Sequence, residues 1–300
     1  MAERPQNGTV LQFEGNEYLV DRRTEHSHVQ LVKTPHHGRV LLMDQEVQFA
    51  ESDEYRYHEM LIHPPLSICP PTENTHVLIL GGGDGLAARE VLKWNPGAIT
   101  VVDYDRQFVD EVVYPYLTDL NENVFSHPRV QIIHANAIEF CGTTSGQFDV
   151  VVMDLPDPEY GMIHTYMELI ECLRNCLSPN GVVVLHTGGM TLNPRHPCWD
   201  MLWMFEHRLK AIFTQTHTVH FRTAHIPSFV HPWGFLYLLP KERRQRPSYE
   251  VRCDCKFWDP MRNPAHRLVQ PEFYIGDRDI DFICDECGDE YDDGADDRLT

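Results

Sequence analysis

Four aspartates, Asp84, Asp103, Asp154 and Asp157, stand at or just beyond the ends of apolar runs in this 300-residue chain. Such a run is the pattern of a buried strand delivering an acid to the carboxyl edge of a sheet, where α/β proteins bind their ligands. The run Val77 to Gly81 passes directly into Gly82-Gly83-Asp84-Gly85. Glycines between a strand and a helix let a ligand approach the backbone closely, although a glycine-rich turn alone is weak evidence. The run Ile99 to Asp103 ends in a second acid, about 20 residues past the turn, where a carboxylate can accept both hydroxyls of a ribose. The pair points to a nucleoside. NAD and S-adenosyl compounds both satisfy the spacing, and charge separates them. Asp84 would repel a pyrophosphate but pair with an ammonium. No lysine follows the loop as triphosphate hydrolysis requires. A cationic S-adenosyl sulfonium that carries an amine fits best.

The run Asp149 to Asp154 continues as Leu155-Pro156-Asp157-Pro158. Asp and Pro are ordinary turn formers, so a polar turn is the plain reading. The prolines stiffen the loop in either case. Two carboxylates three residues apart at a strand end would face the same cleft as the glycine turn. An amine nucleophile must lose a proton before it attacks carbon, so Asp154 is the expected proton acceptor and Asp157 the group that holds the amine in line.

The elements that carry these acids are legible from periodicity. Apolar runs at Val77–Gly81, Ile99–Asp103, Val130–His134, Asp149–Asp154 and Val182–His186 alternate with helical patterns at Leu86–Trp94, Gln107–Leu117, Thr165–Leu177 and Trp199–Phe213. Alternation of this kind predicts a parallel sheet covered by helices on both faces. A hairpin-like pair, Thr216–Arg222 and Gly234–Leu239, closes the sheet. Upstream, Val29–Val32, Arg39–Met43 and Val47–Ala50 read as a small antiparallel sheet. A helix over Glu54–Ile62 follows, and the pairs Pro64-Pro65 and Pro70-Pro71 read as a connection. The expected organisation is an N-terminal β domain (1–73), a Rossmann-like S-adenosyl-transferase domain (74–283) and an acidic tail (284–300).

Bulk properties narrow the function. A formal charge of -20 disfavours nucleic acid and favours cationic ligands. The first residues lack an apolar stretch behind basic residues, and no run approaches the ~20 apolar residues of a membrane span. The expectation is a soluble cytoplasmic protein with no membrane partner. Nine cysteines are dispersed rather than arranged as a disulfide framework. Cys253-x-Cys255 with Cys284-x-x-Cys287 could make a four-thiolate zinc site, but the first spacing is wrong for one, and free cysteines are expected.

Taken together, the run Gly38 to Leu66 (GRVLLMDQEVQFAESDEYRYHEMLIHPPL), VLILGGGDG and the DLPDP loop resemble the polyamine aminopropyltransferases, the spermidine synthase family. The likeness spans Glu25 to Leu239, with a weaker continuation in KFWDPMRNPAHRLVQPEF. It implies transfer of the aminopropyl group of decarboxylated S-adenosylmethionine to a polyamine such as putrescine or spermidine, with release of 5'-methylthioadenosine, no metal, and a homodimer or higher homo-oligomer. It also implies that Gln48 and Tyr57 line the cleft, with His58 near the polyamine. Asp84 and the turn of Gly81 and Gly83 would hold the donor's arm, Asp103 its ribose, Asp154 the attacking amine and Asp157 the acceptor chain. The chain differs from the family pattern at Ser27, in place of Gln. It differs again at Asn136-Ala137, in place of the Asp-Gly that meets the adenine, and at Pro227-Ser228-Phe229, where a phenol is lost. Asn136 would still meet the adenine amine through its carbonyl oxygen. A methyltransferase of the same fold, using intact S-adenosylmethionine, is the second reading. A catalytically silent scaffold is the third, disfavoured because both cleft aspartates remain.

Overall fold

The computed structural model describes residue 13 and residues 17–145, 147–157, 162–191, 197–241 and 255–258. Four antiparallel strands come first: β1 (Glu17–Arg23), β2 (His28–Thr34), β3 (Gly38–Met43) and β4 (Glu46–Ala50), paired in that order. They lead into α1 (Glu54–Ile68). A seven-stranded sheet follows, built from β5 (His76–Gly81), β6 (Ala98–Val102), β7 (Val130–Ile133), β8 (Phe148–Asp154), β9 (Leu177–Gly189), β10 (His217–His225) and β11 (Pro232–Pro240). Its order is β10-β11-β9-β8-β5-β6-β7. The strands from β9 to β7 are parallel, and the β10–β11 hairpin joins β9 antiparallel. No helix among the described residues is long and apolar enough to cross a membrane.

Both faces of the large sheet are covered, as a parallel sheet requires. Along β5, Val77 and Ile79 enter one core with α1, α2 (Leu86–Leu92) and part of the small sheet. Leu78 and Leu80 enter the other, with α5 (Ala137–Thr143), α6 (Ile163–Cys176) and α7 (Pro197–Phe213). Between β6 and β7 the chain makes α3 (Arg106–Phe108), a π-helical turn (Val109–Val113) and α4 (Tyr114–Tyr116). Val109, Val112 and Val113 of that turn close a third core against Leu31, Leu41 and Phe49 of the small sheet.

The expected elements are present, with three corrections. Strand β1 and helix α5 were not anticipated. Of the residues in β1 only Val20 is buried, and α5 buries Cys141 alone, so neither carries a strong apolar period. Pro64 and Pro65 do not end α1, which continues to Ile68. A proline removes the bond from its nitrogen to the carbonyl four residues back. Here the carbonyl of Met60, orphaned by Pro64, accepts the Tyr237 hydroxyl at 2.6 Å, and Ser67 Oγ donates to the Pro64 carbonyl at 2.7 Å. The missing partner comes from β11, far along the chain.

Helix α1 is tied down by buried acids. Asp53 precedes the helix but makes no side-chain cap to it. Its carboxylate instead accepts Ser228 N and Ser228 Oγ, both at 2.8 Å, in the β10–β11 connection. Glu59 accepts the backbone N–H groups of Lys256, Phe257 and Trp258 at 2.6, 2.8 and 2.6 Å, and the Trp258 indole lies buried against His63. Ser228→Ala removes one charge-assisted bond at a fully enclosed carboxylate, a loss of about 1.5–3 kcal/mol. Urea unfolding of the variant is expected to show that decrease in midpoint with an unchanged slope.

Candidate active site

The register of the central strands builds the site. β5 lies between β8 and β6, so the chain leaves β5 to opposite sides and opens a crevice at the carboxyl ends of β5 and β8. In that register Gly81 stands opposite Asp154. Gly81 has φ +78°, and a Cβ there would lie 2.0 Å from the Asp154 carbonyl oxygen. Only glycine allows the two strand ends to close up this far. At Gly83 a Cβ would sit 2.5 Å from Asp103 Oδ2, so that turn is glycine because a carboxylate occupies the space.

The cleft that opens here is lined by Gln48, Tyr57, His58, Gly81, Gly83, Asp84, Asp103, Asp154, Asp157 and Phe229. All ten were expected at the site. Ser27 lines it too, with a buried hydroxyl that has no hydrogen-bond partner among the described residues. Asn136 and Ala137 do not. The Asn136 side-chain oxygen accepts from Ile138 N and Glu139 N at 2.8 and 3.3 Å and caps α5, and this bonding occupies the carbonyl expected to face an adenine. Cys253, Cys284, Cys287, Pro158 and the acidic tail lie outside the described residues. Cys255 is half-buried.

The four aspartates are differently held. Asp103 Oδ2 accepts Gly83 N at 3.0 Å and Oδ1 accepts Asp105 N at 2.9 Å, which fixes the carboxylate plane against the glycine turn. Burial raises its pKa from the usual carboxylate value. Asp84 Oδ1 accepts Leu86 N at 2.9 Å at the start of α2. Burial and the nearby Asp154 charge push Asp84 up to about 6, with His58 pulling the other way. Asp154 Oδ1 accepts the Tyr57 hydroxyl at 2.8 Å. Burial, together with Asp154, holds the Tyr57 phenol well above its ordinary pKa, so it stays a donor. Asp157 lines the cleft one turn of loop beyond.

Beside these acids sits one cation. His58 Nδ1 lies 2.8 Å from the Glu54 carbonyl and 2.9 Å from Glu54 Oε2. Burial alone would lower the His58 pKa, but the Glu54 bond and charge, with Asp84 and Asp154, outweigh it and push it up to about 9. One nitrogen of His58 and one oxygen each of Asp84 and Asp154 lie within 4.8 Å of one another. The two carboxylates offer acceptor oxygens to a cationic ligand, while the protonated ring between them has no lone pair to offer.

Among the wall residues that sequence reasoning missed are His186 and Trp233. His186 donates from Nε2 to the Leu155 carbonyl at 2.8 Å and stacks on Trp233, with ring centroids 6.1 Å apart. Burial lowers its pKa, so it is neutral. Phe229 packs on Trp233 at 4.5 Å and on Tyr57 at 5.9 Å, which makes one side of the cleft aromatic. His186 lies near the carboxyl end of β9, beside β8, and the rule that ligands meet strand ends would have marked it.

Residues 54–243 match the family model for the spermine/spermidine synthase domain. The chain belongs to that family. It is 31% identical over 245 residues to a polyamine aminopropyltransferase of Aquifex aeolicus, covering 80% of this chain and 83% of the relative. It is 32% identical over 229 residues to a thermospermine synthase of Arabidopsis thaliana, covering 75% of this chain and 65% of that protein. A polyamine aminopropyltransferase of Oceanobacillus iheyensis is also 32% identical over 229 residues, 75% of this chain, but there the match spans only 42% of the relative. Several relatives are thus much longer than the region shared with this chain. A crystal structure of spermidine synthase bound to a transition-state analogue superposes with a TM-score of 0.78 at 22% identity, covering 91% of this chain and 92% of that one. The spermidine synthase of Thermotoga maritima gives 0.74 at 22%, covering 87% of each chain. These two likenesses establish the fold, a small antiparallel sheet preceding a Rossmann-like sheet.

Proposed function

We propose that this family member transfers the aminopropyl group of decarboxylated S-adenosylmethionine to a polyamine nitrogen. The observation that carries the reading is the meeting of Asp84, Asp154 and His58 at the point where β5 and β8 diverge. The donor's ammonium would rest on Asp84 and its ribose on Asp103. The acceptor amine would sit between Asp154 and Asp157. The amine lone pair forms the new N–C bond as the C–S bond breaks, the sulfur keeps that electron pair and leaves as 5'-methylthioadenosine, and the extra proton passes to Asp154. The sulfonium is already a good leaving group, so the protein needs to align nitrogen, carbon and sulfur and remove one proton. The Tyr57 hydroxyl on Asp154 Oδ1 fixes that carboxylate, leaving Oδ2 for the amine. Neutral His186 and the aromatic wall would cover the acceptor's methylene chain. Asp84, Asp154 and Asp157 would meet the ammonium and amine groups, and the chemistry needs no metal.

Incubation with decarboxylated donor and a panel of di-, tri- and tetraamines, with products weighed by mass spectrometry, tests this directly. An acceptor gaining one aminopropyl group supports it. A gain of one methyl group from intact S-adenosylmethionine, with none from the decarboxylated donor, would replace it by a methyltransferase.

The pH dependence has two expected limbs. Asp84 must be ionised to hold an ammonium, so the donor KM should rise as pH falls through about 6, where that carboxyl takes up its proton. Free alkylammonium groups titrate near ~10, so kcat should increase from neutral toward alkaline pH as the amine becomes easier to deprotonate. Steady-state kinetics across pH 5–9, about four units that bracket both limbs, check this. A donor KM flat on the acid side would count against Asp84 as the ammonium site.

A further inference from the structure

Glu54 does not itself line the cleft, yet it holds His58, which does. Its side chain is 1% exposed. Arg89 grips it with two nitrogens, Nη1 to Oε1 at 2.9 Å and Nη2 to Oε2 at 3.0 Å. Oε2 also takes the His58 Nδ1 bond at 2.9 Å. Arg89 is held in turn by Glu90 Oε1 at 2.8 Å and by the Leu120 carbonyl at 2.8 Å. The bidentate pair leaves Glu54 no freedom to turn away from His58.

Both acceptors at His58 Nδ1 are oxygens, one of them charged, so Nδ1 carries a proton and Nε2 is the nitrogen left for the cleft. The groups facing the ring are Glu54 and Tyr57 on α1, Asp84 in the glycine turn and Asp154 at the end of β8. Every charged group among them is an acid.

We propose that Glu54 is a positioning residue for the transfer reaction, acting through His58: with Arg89 behind it, Glu54 fixes Nδ1–H and presents Nε2–H to Asp84 and Asp154, so that the cleft keeps a built-in cation between its two carboxylates. The inference rests on the aminopropyl-transfer reading. Its purpose is the charge of the nucleophile. A cleft of aspartates alone would bind the acceptor as an ammonium and hold it in the unreactive form. A fixed positive charge within a few ångströms disfavours the ammonium relative to the neutral amine and lowers the acceptor's pKa where the lone pair is needed. The cation also stops Asp84 and Asp154, two like charges at close range, from sharing one proton.

Glu54→Gln separates this role from a structural one. In the wild type, histidine 15N shifts of the ligand-free protein, assigned to His58 by difference from His58→Gln, are expected to show both ring nitrogens protonated at pH 7. In Glu54→Gln the ring should titrate below pH 7, so that it is mostly neutral there. At neutral pH kcat should fall about tenfold, and its alkaline rise should move up by about one unit. Should the single variant fail to fold, with Arg89 short of one of its two carboxylate partners, Glu54→Gln with Arg89→Met removes both buried charges together and is read the same way. A neutral His58 in the wild type at pH 7 overturns the proposal. So does a variant whose kcat falls while the pH profile stays in place. The histidine titration needs no substrate, so it decides the inference even if the panel of amines shows that the aminopropyl reading is wrong.

Discussion

Asp154→Asn is expected to lower kcat by ~10²-fold or more while leaving 5'-methylthioadenosine binding close to unchanged. The amide keeps the shape of the side chain, and its carbonyl oxygen can still accept the Tyr57 hydroxyl that Oδ1 accepts now. What it loses is the capacity to take a proton. The backbone is insulated from the change, because the carbonyl of Asp154 accepts Gly82 N at 3.0 Å whatever the side chain carries. Single-turnover rates and calorimetric binding of the nucleoside product separate the two effects. A rate near that of the wild type would remove Asp154 from the proton transfer.

Asp84→Asn is expected to change donor choice more than rate. The carboxylate in the glycine turn attracts an ammonium on the donor's arm and repels an α-carboxylate in the same place. Two unit charges ~4 Å apart at an effective dielectric near 20 interact by about 4 kcal/mol before solvent and counter-ions reduce it. The decarboxylated donor should therefore bind far more tightly than intact S-adenosylmethionine, and the asparagine should shrink that ratio from both sides. His58, a cation near Asp84, tempers the preference without reversing it, since Asp84 and Asp154 together outnumber it. Dissociation constants for both donors on both proteins, in one buffer, are the measurement. Equal affinities in the wild type would contradict the assignment.

The parts of this site that were legible in sequence are those whose local pattern and chemistry coincide. Gly81 to Gly85 and the Asp154 loop each follow an apolar run, so the strand, its end and the acid are read in one stroke. Gln48, Tyr57 and His58 came only through family likeness, because a helix gives no local sign of which turn will meet a cleft. At Asn136 the sequence leaves two roles open, because an Asn just before a helix is as suitable a cap as it is a ligand contact, and the structure shows the cap. Glu54 and Arg89 were invisible because their partnership spans 35 positions and exists only once α1 and α2 pack. Pro64 and Pro65 read as a break since the repair, the Tyr237 hydroxyl, lies 177 positions beyond the Met60 carbonyl it satisfies.

The grip of Glu59 on residues 256–258 sets an order of assembly. Those contacts close loops of 197 to 199 positions. A ribosome finishes α1 long before it makes the three amides that neutralise the buried Glu59, and until then the carboxylate has every reason to stay in water. The helix bearing Tyr57 and His58 therefore has its full set of anchors only once residues 256–258 are present. A chain stopped before residue 255 would carry every acid of the reaction and still lack the latch that sets them in place.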